Sequence, residues 1–145
     1  MKSDLVFVPS KVTIDSATYT EQILDKHLIP FWHTTCEEYG WTKVVEDWAP
    51  GHQKYANKCR EKNGLDRMID WPSQSPDLNL IEWVWGWMEC QLGEKWGRIE
   101  ELESLEVAVK IVWDSVSIDF LESLIASMPD RLQAVIDANG DATRY

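Results

Sequence analysis

The sequence is short of positive charge: 14 Lys and Arg stand against 25 Asp and Glu, giving a formal charge of −11 and a pI of about 4.6. Such a surface repels polyanions on average, which disfavours a free-standing nucleic-acid binder working through a broad basic face. Lys54, Lys58, Arg60 and Lys62 make one modest basic patch, and their spacing reads as the solvated face of a helix. Cysteine is scarce too. Cys36, Cys59 and Cys90 lie far apart with no CxxC pair, which argues against a disulfide framework and suits a reducing compartment. The opening "MKSDLVFVPS" has only a short apolar run, below what a signal peptide or membrane helix needs. Internal repeats and low-complexity segments are absent. The expected setting is nuclear or cytoplasmic, with no membrane partner.

What is present argues for a packed fold. At 145 residues, 44% hydrophobic and with nine tryptophans, the chain is expected to form a single domain over 1–145. "LVFV" (5–8) reads as a short strand ended by Pro9. Residues 14–32 read as a helix capped by Asp15 or Ser16, with Tyr19, Ile23, Leu24 and Leu28 on one face and a kink or break at Pro30. "KVVED" (43–47) is a β-branched run of the kind found in buried strands, and "RMID" (67–70) is a second short strand. Between them, "HQKYANKCREKNG" is helical and stops at Gly64.

A strong helix begins at Asn79, after a proline-rich stretch that continues neither element. Its core face is Ile81, Val84, Trp85, Met88 and Leu92. Trp83, Trp87 and Cys90 lie nearly opposite, so the helix is either sandwiched in the domain or half of an interface. The remainder is helical. Leu102, Leu105, Val109, Val112 and Val116 keep one face, Ser117 caps the next helix, and Ser127 with Pro129 opens a last one closing on Gly140.

Two acids stand out. Asp47 ends the strand "KVVED" and is followed by "APGH"; Glu82 stands in the first turn of the Asn79 helix, with 34 residues between them. Each has an ordinary reading: a strand-end acid that meets water, and the N3 acid of a capping box. Together they could also supply carboxylates from separate elements to a divalent-metal site, with His52 near a leaving group or a phosphate.

The segment "EDWAPGHQKYANKCREKNGLDRMIDWPSQSPDLNLIEWVWGWM" resembles the second half of the catalytic domain of mariner-type (DDE/D) transposases, especially fungal ones. The D-x-A-P-x-H pattern, the WPxxSPDLNxIE pattern and the gap between the acids carry the resemblance. "LVFVPSKVTIDSATYTEQILDKHLIPF" and the tail "LIASMPDRLQAVIDANGDATRY" extend it over nearly the whole chain. The resemblance implies an α/β, truncated ribonuclease H-like fold: a few-stranded sheet, first strands missing, and a helical C-terminal half. It implies Asp47 and Glu82 as second and third members of the catalytic triad, holding magnesium or manganese, with the proline-rich loop aiming Glu82 at Asp47. Family members cut transposon ends and join them to target DNA.

The first aspartate of the triad has no counterpart. Asp4 would begin the strand resembling the family's third, three spacings from the strand of Asp47, an offset of roughly 14 Å. That is too far for a shared metal pair. The upstream helix-turn-helix domains are likewise missing from the match. Trp48, Leu80 and the acidic, tryptophan-rich run after Glu82 also depart from the family pattern. The expectation is a transposase-derived fragment without nuclease activity of its own, weak for DNA and weak for metal, or with no cofactor at all. The alternative is a domesticated interaction or homodimerisation module, using Trp83 and Trp87 as interface and the edge of "KVVED" left open by the missing strands.

Overall fold

The computed structural model describes residues 1–47, 49–68, 71–72 and 75–145. They gather into two compact units, Val6–Ser73 and Met1–Leu5 with Gln74–Tyr145, each built around its own core.

In the first unit, Asp15 caps the opening helix, its Oδ1 accepting from the amides of Ala17 at 3.1 Å and Thr18 at 2.9 Å. The chain then stays helical to Tyr39, through α1 (Ser16–Tyr19), a π-helical segment (Thr20–Leu28) and α2 (Ile29–Tyr39). Pro30 therefore does not break the helix. It falls in the first turn of α2, after a wider stretch in which the Ile29 amide reaches Leu24 O five residues back. The wider spacing accommodates a ring that an uninterrupted α-helix would reject.

Strand β1 (Lys43–Val44) pairs in parallel with β2 (Asp66–Arg67), Lys43 opposite Asp66 and Val44 opposite Arg67. A turn at Pro50–His52 and helix α3 (Tyr55–Asn63) make the crossover, and α3 ends on Gly64 at φ 70°. The core is Tyr19, Leu24, Ile29, Ala56 and Leu65. Three strand expectations change. Residues 5–8 form no strand, "KVVED" keeps only its first two residues in the ladder, and the second strand begins one residue early at Asp66. A strand holds only where a neighbour supplies its hydrogen bonds, and apolar residues alone do not make one. Ile69 and Asp70, the end of the expected strand, lie outside the described residues, as do Trp48, Ser73 and Gln74. The described chain is helix-rich with this one small sheet.

In the second unit, Asn79 precedes α4 (Leu80–Trp96), followed by α5 (Leu102–Ser115), α6 (Ile118–Ala126) and α7 (Met128–Asp137). Ser117 Oγ accepts from the Phe120 amide at 3.2 Å, the expected cap of α6, and Pro129 lies in the first turn of α7. Val84, Met88, Val112, Trp113, Val116 and Leu124 form the core. Trp85, expected inside, is exposed and lies 6.0 Å from the Trp113 ring. Leu102 and Leu105 are exposed too, because α5 presents Ala108, Val112 and Trp113 inward instead. Lys2 Nζ donates to the carbonyls of Trp113, Asp114 and Val116 at the end of α5, and Trp113 Nε1 donates to Ser3 O. Among the described residues no helix is long and apolar enough to cross a membrane.

Candidate functional site

Past Val44 the chain leaves the ladder, and its next two acids meet opposite fates. Glu46 is buried; the side chain of Asp47 is 64% exposed. The buried acid is fully engaged. Glu46 Oε1 accepts from the Tyr19 hydroxyl at 2.5 Å, and Oε2 from Arg60 NH1 at 2.7 Å, with Arg67 Nε 3.9 Å away. The guanidiniums reach on to the backbone around Asp47. Arg67 donates to Asp47 O at 2.6 Å and to Glu46 O at 3.3 Å, while Arg60 donates to His52 O and, at 2.7 Å, to Asn57 Oδ1. A polar network closed in this way fixes the main chain beneath an acid that stays open to solvent.

The Asp47 carboxylate is itself ordered by local contacts. Its Oδ1 accepts from the Ala49 amide at 3.1 Å and lies 2.7 Å from His52 Nδ1. A carboxylate can only accept, so that short contact requires the proton on Nδ1. The imidazole packs on the Tyr19 ring, centroids 4.3 Å apart. Of the residues singled out from the sequence, Asp47 and His52 are thus brought together.

Glu82 belongs to the other unit. It is exposed in the first turn of α4, and Asn79 Nδ2 donates to its Oε1 at 3.4 Å. That contact answers the capping-box expectation in part: the acid meets the cap residue's side chain. The turn feeding α4, Pro76–Leu78, is held from the far end of the chain. The Asp77 carboxylate accepts from Thr143 N at 2.8 Å and Thr143 Oγ1 at 2.7 Å, and those bonds hold its carboxyl below the usual carboxylate range. Arg131, only 2% exposed, donates from NH1 to Asp77 O at 2.9 Å and from Nε to Ser127 Oγ at 2.8 Å. Its guanidinium lies 4.9 Å from the Trp83 ring centre and 4.6 Å from that of Tyr145. Trp83 and Trp87 line one groove of about 650 Å³ with Glu82, Phe120 and Tyr145. Among the described residues, no three His, Cys, Asp or Glu side chains gather into a metal cluster.

Sequence reasoning missed the Glu46–Arg60 pair and Arg131. The basic patch is corrected accordingly: Lys54, Lys58 and Lys62 are exposed, but Arg60 is buried against Glu46. A signal existed, since Ala56 and Arg60 are four residues apart on α3 and share its inner face. For Arg131 there was none: Ser127 is a local partner, but Asp77 and Trp83, which help to enclose the guanidinium, lie some fifty residues away.

The buried phenol carries a pH signature. Burial first, and then the hydrogen bond to Glu46, push Tyr19 well above its ordinary value of 10.0. The folded state therefore favours the neutral phenol. Its contribution is complete below about pH 10 and is lost as the pH climbs above that value, where the unfolded chain ionises first. Urea titrations at about pH 8 and pH 11 should show a fall in stability that Tyr19→Phe makes shallower. An equally steep fall in the variant would exclude Tyr19 as its source.

Against proteins of known kind, no family model matches the chain. It is 34% identical over 135 residues to the transposable element Tcb1 transposase of Caenorhabditis briggsae, covering 92% of this chain and 47% of that protein. With the Tc1 transposase of Caenorhabditis elegans it shares 45% identity over 78 residues, 54% of this chain and 28% of that protein. With the Tc3 transposase of the same organism, identity is 29% over 145 residues, 99% of this chain and 42% of the relative. The chain thus spans less than half the length of each of these relatives. Its homologues are Tc1- and Tc3-type transposases of the Tc1/mariner family.

Proposed function

We propose that this chain is a transposase-derived, ribonuclease H-like fragment that keeps two acids of a divalent-metal DNA-cleaving site, Asp47 and Glu82, and does not cut DNA by itself. The observation that carries the reading is the state of Asp47: an exposed carboxylate, ordered by Ala49 and His52, three residues beyond the last residue of β1 in a chain similar to transposases. Glu82 offers a second exposed carboxylate. Oxygen donors of this kind suit magnesium or manganese, and a bound ion would supply Lewis-acid polarisation of a phosphate. Asp47 and Glu82 are the acids that the family resemblance assigns to such an ion, each described within its own unit. His52 is fixed through Nδ1, and as an imidazolium, with both ring nitrogens protonated, it would donate from Nε2 to a phosphate. Two carboxylates bind such ions weakly without substrate phosphates, and Asp4 does not take the place of the first aspartate.

Incubated with supercoiled plasmid and manganese, the chain is expected to leave the DNA intact. Cleavage abolished by both Asp47→Ala and Glu82→Ala would overturn the claim of inactivity.

A second reading, a homodimer, is favoured by one observation. Strand β1 pairs with β2 on one side, and among the described residues no strand covers its other edge. Open edges pair with available strands. Sedimentation at micromolar concentration is expected to give twice the monomer mass, and a clean monomer would remove this reading.

A further inference from the structure

The groove beside α4 is built differently from the rest of this acidic surface. Its walls are aromatic: Trp83, Trp87, Phe120 and Tyr145. Trp87 and Phe120 face one another with ring centres 5.8 Å apart, and Trp83 is 43% exposed. Among the described residues, the ionisable acids or bases with side chains on that lining, tyrosine aside, are the carboxylates Asp77 and Glu82. Aromatic faces carry negative quadrupole density, so aromatic walls with carboxylates favour a cation and disfavour a phosphate.

The same aromatic surface already holds two cations of its own. The Arg131 guanidinium sits at 4.9 Å from Trp83 and 4.6 Å from Tyr145, and Arg144 lies 5.0 Å from the Tyr145 ring. Asp77 is committed to Thr143, which leaves Glu82 as the lining carboxylate with its second oxygen open to a partner. Apolar walls that end at an acid suit an occupant with an apolar anchor and a basic side chain close by in sequence.

We propose that this groove is a docking site for a basic, amphipathic segment of a partner protein. An apolar side chain packs against Trp87 and Phe120, and an adjacent Lys or Arg meets Glu82. The net charge of −11 favours the approach of such a segment and opposes a nucleic acid at the same place. The site does not depend on nuclease activity, so failure of the metal reading leaves it standing.

The test uses the whole chain with nitrogen-labelled tryptophans, the Trp83 and Trp87 indole signals being assigned by single Trp→Phe substitutions. The probe is a short capped peptide of alternating leucine and lysine; a leucine–glutamate peptide and an oligothymidylate are the comparisons. Expected are shifts of both indole signals with the lysine peptide alone, weakened roughly tenfold by Glu82→Gln and by added salt. Glu89→Gln, a neutralisation elsewhere on α4, should weaken binding markedly less. The proposal is overturned by equal binding of the glutamate peptide, or by equal affinity in Glu82→Gln and the parent chain. It is also overturned if oligothymidylate moves the same signals. Broadening of those signals with protein concentration alone would assign the groove to a second copy and likewise overturn it.

Discussion

Arg60→Ala is expected to destabilise the unit Val6–Ser73 by about 3–5 kcal/mol, the usual cost of removing one partner from a buried ion pair. Arg60 is 3% exposed and Glu46 8%, so little solvent is available to take over the carboxylate. With Arg60 gone, Glu46 keeps the Tyr19 hydroxyl and an Arg67 nitrogen 3.9 Å away, beyond good hydrogen-bonding range. The carbonyl of His52 and the side chain of Asn57 lose their donor as well. Combining Arg60→Met with Glu46→Gln should recover a good part of the loss, because the penalty comes mainly from the stranded charge rather than from the value of the pair. Native-state amide exchange along α3 reads this unit separately, which matters in a chain with two compact units. A loss under about 1 kcal/mol would mean that water reaches Glu46 easily.

Arg131→Ala should cost the second unit about 2–4 kcal/mol. Two kinds of interaction disappear together: stacking on Trp83 and Tyr145, worth about 1–2 kcal/mol where desolvated, and hydrogen bonds to Asp77 O and Ser127 Oγ. These terms share one side chain and will not add simply. Lysine should restore less than half, since an ammonium cannot lie flat between two rings while donating from a planar fork. The effect should extend to Glu82. Arg131 and Thr143 hold the Pro76–Leu78 turn, and that turn delivers the chain into α4. Faster exchange at the Leu78 and Asn79 amides, which bond to Ser75 O and Pro76 O, is the expected signature. Unchanged exchange there would confine Arg131 to packing α7.

Whether an acid lies open or buried is a contextual property. Glu46 and Asp47 are adjacent and chemically similar, yet the first is enclosed by Tyr19 and Arg60 while the second faces water. The sequence marks Asp47 through a motif that resembles a transposase pattern. It offers no comparable mark for Glu46, whose partners lie 27 and 14 residues away. Trp85 shows the same limit on α4. Helical periodicity assigns it to the core face with Val84 and Met88, but its ring meets Trp113 near the surface because the core there is filled from α5 and α6.

By itself the sequence determined what short-range chemistry controls. Asp15 starts the first helix, Gly64 ends α3 at positive φ, Ser117 caps α6 and Pro129 opens α7, each through contacts within a few residues. It also carried the motif and spacing that mark transposase ancestry. Tertiary structure decided the length of the strands, the register change that lets a helix pass Pro30, and the burial of Arg60 and Arg131. The physical reason is common to the strands and the arginines. A strand needs a neighbour's backbone, and a buried guanidinium needs carboxylates, carbonyls and rings placed around it, partners that the chain brings together only by folding.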